Sequence, residues 1–171
     1  MKTGIVKPEI VIRPMAASDL DRVLAIAEHL PQAPHWPRSA YLNAINPEST
    51  PHRIALVAAG PQPGAILGFA VVSLLPPQAE LESIAVTPES QRLGLGQSLF
   101  QALVAELKAA GVAELVLEVR ASNQPALAFY QSLVFAKTGL RPGYYADPIE
   151  DAVLMTLPLV EKLSSESADS A

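Results

Sequence analysis

Apolar and polar positions along this chain switch between two periods. The segments "EIVIRPM" (9–15), "RIALVAA" (53–59), "AILGFAVVSLL" (65–75), "QAELESIAV" (78–86) and "ELVLEVR" (114–120) are short and rich in β-branched residues, and they predict strands. Between them, "SDLDRVLAIAEHL" (18–30), "PRSAYLNAIN" (37–46), "SLFQALVAELKAAG" (98–111) and "NQPALAFYQSL" (123–133) carry apolar residues at helical spacing. Ser18 reads as the N-cap of the first helix, Gly111 as the stop of the third, and Asn123 as the cap of the fourth, with Pro125 tolerated in its first turn. "GPQPG" (60–64) is a turn by its residue types, and Pro76-Pro77 is a break. Two last strands surround "RPGYYADPIED" (141–151), the second of them ending in "AVLMTLPL".

The predicted order is therefore β-α-α-β-β-β-α-β-α-β-β. This is an α/β (α+β) pattern with a mixed central sheet flanked by helices. The helical crossovers after Val86 and Val119 each allow parallel pairing, while the hairpins require antiparallel pairing. One domain is expected over residues 10–158, with a weakly ordered leader at 1–9 and a polar, Ser-rich tail at 159–171.

Composition narrows the function classes. At 171 residues, half of them apolar and 17% charged, the chain can build one domain with a substantial core. It contains no cysteine, which excludes disulfides, thiolate metal sites and a cysteine acyl-enzyme. No apolar run approaches the length of a membrane span, and no secretory signal is visible, so a cytoplasmic protein is expected. The net charge of −5 argues against a broad nucleic-acid surface and favours a cationic substrate such as an amine. His29, His35 and His52 are scattered and suggest no metal site, and Trp36 reads as a packing anchor.

The most informative stretch is "TPESQRLGLGQ" (87–97), which lies between a strand and a long helix. A loop of this kind gathers backbone N–H groups and the positive end of a helix dipole, a ready anion site. Gly94 and Gly96 lack a Cβ, so a ligand could approach the backbone closely; equally, the glycines could simply form a tight turn. No Gly-Lys-Ser/Thr follows, so this is not a P-loop. Leu99 stands where a dinucleotide-binding fingerprint needs its third glycine, and the loop lies mid-chain.

"Q-R-L-G-L-G" entering a helix after an "I-A-V" strand resembles the GCN5-related N-acetyltransferase superfamily. The stretch from "LESIAV" through "LEVRASN" to "ALAFYQSLVF" follows that family's central motifs almost without gaps, and the element order agrees from about Ile10 to Pro158. Within the family, "LEVRASN", "ALAFYQSL" and "RPGYY…EDAVLM" look most similar to the bacterial ribosomal-protein-alanine N-acetyltransferases. Val134 departs from the glycine usual in the "S-L-G-F" turn, Pro142-Gly143 replace more typical polar residues, and "HWPRSAY" matches only loosely.

The resemblance implies an N-acetyltransferase fold and acetyl-CoA as cosubstrate, with no metal. Its pyrophosphate would be held by Gln91, Arg92, Leu93, Gly94, Leu95, Gly96 and Gln97. Its pantetheine arm would pair with the backbone of Ile84, Ala85 and Val86, which would also polarise the thioester carbonyl. Asn123 would hydrogen-bond the same arm or the cofactor's tail.

Amide formation needs a neutral amine, and an α-amino group with pKa about 7.7–8.0 or a lysine at about 10.4 is mostly protonated at neutral pH, so a base is required. On "ELVLEVR", Leu115, Leu117 and Val119 share one face while Glu118 shares the other with Val116, and a carboxylate in a buried strand is costly unless it is paired or used. One reading pairs Glu118 with Arg120; the resemblance makes Glu118 the base. Glu82 is the rival base, on a strand where other branches of the superfamily carry one, and Glu80 reads as a solvated residue. Tyr130 lies at helical spacing with Ala126 and Leu133, where a tyrosine is usually core; the resemblance makes it the general acid for the departing thiolate. Tyr144 and Tyr145 would line the acceptor groove, with Glu150 or Asp151 holding a cationic N-terminus.

Together these imply direct attack in a ternary complex on the N-terminal amine of a ribosomal protein, by a monomer or homodimer. A small-molecule amine acceptor and a non-catalytic acyl-CoA-binding module are the alternatives.

Overall fold

A computed structural model describes residues 9–30, 35–91 and 93–160. The elements are β1 (Val11–Pro14), α1 (Leu20–Glu28), α2 (Arg38–Ile45), β2 (Arg53–Ala59), β3 (Ile66–Leu75), β4 (Gln78–Val86), α3 (Leu95–Ala109), β5 (Glu114–Arg120), α4 (Gln124–Ser132), β6 (Ala136–Tyr145) and β7 (Glu150–Pro158). Their order is the expected one, and the two-residue alternation in β5 yields buried Leu115, Leu117 and Val119 on one face. The expected leader and tail fall almost entirely on residues 1–8 and 161–171, outside the described residues, as does Arg92.

All seven strands form one sheet in the order β1-β2-β3-β4-β5-β7-β6. Its two faces bury separate cores. Leu95, Leu99, Leu103 and Leu107 form one stripe of α3, four residues apart, and pack with Phe100 against Leu56, Val72, Leu81 and Leu117. On the opposite face, Leu20, Val23 and Ile26 of α1 and Tyr41 of α2 cover Val57, Phe69, Val71 and Ala85.

Three expectations need correction. Ser18 does not cap α1: it lies in a 3-10 turn (Ala17–Asp19), and Asp19 instead accepts a hydrogen bond from the Ala16 N–H at 2.8 Å and pairs with Arg13 at 2.7 Å. The crossover after Val119 does not make neighbours of β5 and β6, because β7 returns between them and pairs antiparallel with both. Within "RPGYYADPIED", strand continues as far as Tyr145 and resumes at Glu150, leaving only a short turn.

Two irregularities shape the centre of the sheet. Val71 pairs with Ser83 but Val72 pairs with Leu81, so Glu82 is the extra residue of a β-bulge in β4. The parallel pairing of β4 with β5 covers only Gln78–Glu80 against Glu114–Val116. Beyond those residues the two strands splay, and β4 leaves its β5-facing edge unpaired.

Candidate active site

The splay opens a cavity of about 890 Å³, floored by residues 80–84 of β4 and Glu118, Val119 and Arg120 of β5. Asn123 and Tyr130 from α4 close one side, Tyr144 and Tyr145 from β6 another, and His35 and Trp36 a third. Sequence-predicted residues from four separate segments thus meet in one place: Ile84, Glu82, Glu118, Asn123, Tyr130, Tyr144 and Tyr145. The loop residues Gln91, Leu93, Gly94, Leu95, Gly96 and Gln97 do not line this cavity, nor do Ala85 and Val86. They follow on from the end of β4, at the start of α3.

That loop divides labour between its glycines. Gly94 is the N-cap of α3 at φ +74°, a left-handed conformation, and a Cβ built on it would meet nothing within 4 Å. Its open side and the first free N–H groups of α3 leave room for an anion. Gly96 has a different reason to be glycine, because a Cβ there would lie 3.3 Å from the Phe129 ring. Its missing side chain lets α3 and α4 pack together, whereas the space beside Gly94 is open. The Gln91 side chain donates to the Val86 carbonyl at 3.4 Å, tying the loop to the strand end. An unpaired strand edge, a free helix N-terminus and a wide cavity between them fit an extended molecule with an anionic end, as acetyl-CoA is.

The carboxylates on the cavity floor are held in different ways. Glu82, the bulged residue, receives the Arg53 Nε–H at 3.0 and 3.3 Å from its two oxygens, and both side chains are largely buried. Glu118 is 17% exposed, and Oε1 lies 3.4 Å from Nε of Arg141, a residue of β6. Arg120, its expected partner in the non-catalytic reading, is engaged elsewhere: it contacts Glu150 at 3.4 Å and lies over the Tyr145 ring at 4.3 Å. Glu80 is not a solvated residue. It is half-buried in the cavity wall, and burial, with Glu118 and Glu82 nearby, pushes its pKa up while Arg141 opposes the rise.

Tyr130 packs edge-on to Phe135 at 5.7 Å and beside Phe129 at 5.6 Å. Burial, and to a smaller extent Tyr145, pushes its pKa up to about 12. The phenol therefore stays protonated through the neutral range, as a proton donor must. Asn123 spends its side-chain oxygen on the Ala126 N–H at 3.2 Å, capping α4 and leaving its amide N–H groups on the cavity side.

The tyrosine pair is fixed by a bulge at the end of β6. Gly143, at φ +61°, donates its N–H to Asp151 Oδ1 at 2.9 Å. Glu150 accepts the Ser122 N–H at 2.5 Å, and this bonding holds its pKa down. Asp151 and Glu150 thus each bond a backbone N–H and tie the turn and the end of β5 together. Tyr144 and Tyr145 meet at 5.1 Å, and a hydrogen bond toward Glu118 raises the pKa of Tyr144. Arg141 went unrecognised in the sequence because strand pairing was not assigned that far along β6; alternation through "TGLRP" would have placed it.

Comparison with known proteins agrees with this geometry. The profile of the acetyltransferase (GNAT) family matches residues 21–135. The chain is 46% identical over 100 residues to the ribosomal protein bS18-alanine N-acetyltransferase of Escherichia coli (strain K12), a match covering 57% of this chain and 68% of that protein. It is 42% identical over 96 residues to an N-alpha-acetyltransferase of Saccharolobus solfataricus, across 54% of this chain and 57% of that one. The crystal structure of the ribosomal-protein-S18-alanine N-acetyltransferase from Escherichia coli superposes with a TM-score of 0.76 at 33% identity, covering 92% of this chain and 98% of that one.

Proposed function

The chain belongs to the acetyltransferase (GNAT) family, and on that premise we propose that its acceptor is the α-amino group of a protein N-terminus, an N-terminal alanine of a ribosomal protein above all. The activity itself is N-acetyl transfer from acetyl-CoA. The observation that carries the reading is the splay of β4 from β5, which brings Glu118 and Tyr130 to one cavity from different elements. The acceptor is supported by relatives that carry that name on both sequence and structure comparison. A ribosomal-protein acceptor would also place the enzyme in the cytoplasm, and among the described residues no helix is long and apolar enough to cross a membrane.

In this mechanism acetyl-CoA supplies an acetyl group activated as a thioester. The unpaired edge of β4 at Ile84–Val86 would hold its arm, the N–H groups of residues 91–97 its pyrophosphate, and the Asn123 amide the arm's polar groups. Glu118 removes a proton from the acceptor ammonium, directly or through one water, and frees the lone pair for attack. As the new C–N bond forms, the C–S bond breaks, and Tyr130 faces the departing sulfur with its hydroxyl proton. Glu82, held by Arg53, forms part of the cavity floor beside the acceptor. Tyr144 and Tyr145 line the acceptor side.

The test is a comparison of kcat/KM across acceptors: peptides beginning with alanine, the same peptides N-terminally blocked, lysine peptides and polyamines. Peptides with a free N-terminal alanine should lead by at least tenfold. Preference for a polyamine would replace the acceptor while leaving the acetyltransferase standing.

A further inference from the structure

The base of this reaction has a partner that neither the sequence motifs nor the family comparison identified. Arg141 lies four residues before the end of β6, where register with β7 is regular from Gly139 to Arg141 and then shifts. The shift is pinned by the Gly143 N–H on Asp151 Oδ1. It turns the end of β6 over the cavity, so that Arg141 contacts Oε1 of Glu118 at 3.4 Å while its guanidinium lies 5.6 Å from the Tyr144 ring. The contact engages Oε1 of the carboxylate.

Glu118 does not stand alone. Glu80 pairs in register with Val116, two residues before Glu118 on the parallel neighbour strand. Like charges on neighbouring strands disfavour double ionisation, and burial, with Glu118 nearby, raises the pKa of Glu80. We propose that Arg141 is a positioning residue for acetyl transfer: its guanidinium keeps the neighbouring Glu118 and Glu80 carboxylates both ionised, and it orients the Glu118 carboxylate toward the acceptor amine.

The other charged groups around this pair are already committed. Arg53 from β2 belongs to Glu82 of β4. Arg120 of β5 belongs to Glu150 of β7 and to the Tyr145 ring. Tyr144 adds a neutral hydrogen bond to Glu118, and Tyr130 of α4 is protonated through the neutral range. His35 contributes from the segment before α2, at the cavity rim. Among the described residues Arg141 is therefore the cation in ion-pair contact with Glu118, and the raised pKa of Glu80, which Arg141 alone opposes, agrees with that role.

This inference rests on Glu118 acting as the base. Its test is the pH dependence of kcat/KM, from about pH 5.5 to 9, for wild type, Arg141→Gln, Arg141→Met, Arg141→Lys and the double variant Arg141→Gln with Glu80→Gln. Arg141 is 56% exposed, so these changes should leave the fold and acetyl-CoA affinity intact. Without the guanidinium, the carboxylates take up their first proton at higher pH. Each unit of that displacement is a tenfold loss on the acid side. Arg141→Gln and Arg141→Met should thus lose activity on the acid limb of the profile, about tenfold for each unit the limb moves, and return to within roughly threefold of wild type near pH 9. Arg141→Lys should track wild type, and removal of Glu80 from the Gln variant should recover activity at low pH. A loss equal at every pH, or a profile that does not move, overturns the proposal. Glu118→Gln, assayed alongside, separates the two failures. If it is as active as wild type, the base assignment falls; if it is inactive and the Arg141 profiles match wild type, only the role of Arg141 falls.

Discussion

Replacing Tyr130 by phenylalanine removes one oxygen and leaves the ring between Phe129 and Phe135. The magnitude of its effect on turnover follows from the phenol's own acidity. A phenol raised to about 12 is a much weaker acid than a thiol at about 8.5, so complete transfer to a free thiolate would be uphill by roughly 5 kcal/mol. Tyr130 therefore acts chiefly by donating a hydrogen bond to the charge growing on sulfur, and solvent can finish the protonation. Hydrogen bonds to charged groups contribute about 1.5–3 kcal/mol, which converts to a loss of about 10- to 100-fold in kcat. That is the low end of the usual range of about 10²–10⁴ for general acid catalysis, or just below it. The ring and its aromatic contacts are retained, so the melting temperature should move by less than about 2 °C. The assay measures acetyl-CoA affinity, melting temperature and steady-state rate on one preparation, with an acceptor the wild type uses. An unchanged rate returns Tyr130 to the core and revives the non-catalytic binding module. A rate loss matched by an equal loss of acetyl-CoA affinity would make it a binding residue. A loss beyond about 10³ would show that hydrogen bonding to the thiolate is not the limit of its role.

Three further outcomes are expected. Glu118→Gln should lower kcat/KM near neutral pH by about 10²–10⁴, with the deficit shrinking as rising pH frees the amine; a rate within about threefold of wild type near pH 7 would shift the role to another group. Gly94→Glu places bulk and negative charge at the left-handed N-cap of α3, where open space now lies, and it should abolish the thermal stabilisation acetyl-CoA gives the wild type; normal binding would move the pyrophosphate site elsewhere. Val134→Gly should stabilise the protein by about 0.5–1 kcal/mol, read as a rise of a few degrees in melting temperature. Val134 is 76% exposed at φ +74°, so little packing is lost when the strain is relieved, and a drop in stability would mean the side chain is used.

Much of the architecture was legible because its signals are local. β2, β4 and β5 occupy the predicted residues, and the α3 stripe is spaced as its sequence requires. The family motif marked the loop, and strand alternation put Glu118 on the cavity face. What stayed hidden depends on pairing between distant segments. The insertion of β7 between β5 and β6 is set by the sheet as a whole, and it carries Arg141 to Glu118 across 23 positions of sequence. The bulge at Glu82 follows from register with β3, and Arg53 reaches that residue from β2. Ser18 looked like a cap by residue type, but a 3-10 turn precedes α1, and Asp19, held by Arg13 of β1, bonds back to the Ala16 N–H at the start of that turn. Glycine identity alone could not separate the left-handed turn at Gly94 from the helix contact at Gly96. Val134 shows the converse, a left-handed position that is not glycine and that only the resemblance marked as unusual.

The most direct test of the account uses a single peptide that begins with alanine and also carries an internal lysine. It is incubated with the protein and acetyl-CoA, and the acetyl group is located by fragmentation mass spectrometry, with Glu118→Gln run in parallel. The account predicts acetyl on the N-terminal α-amine, none on the lysine, and little product from the variant. Acetyl on the lysine, or no transfer at all from a protein that binds acetyl-CoA, would contradict it.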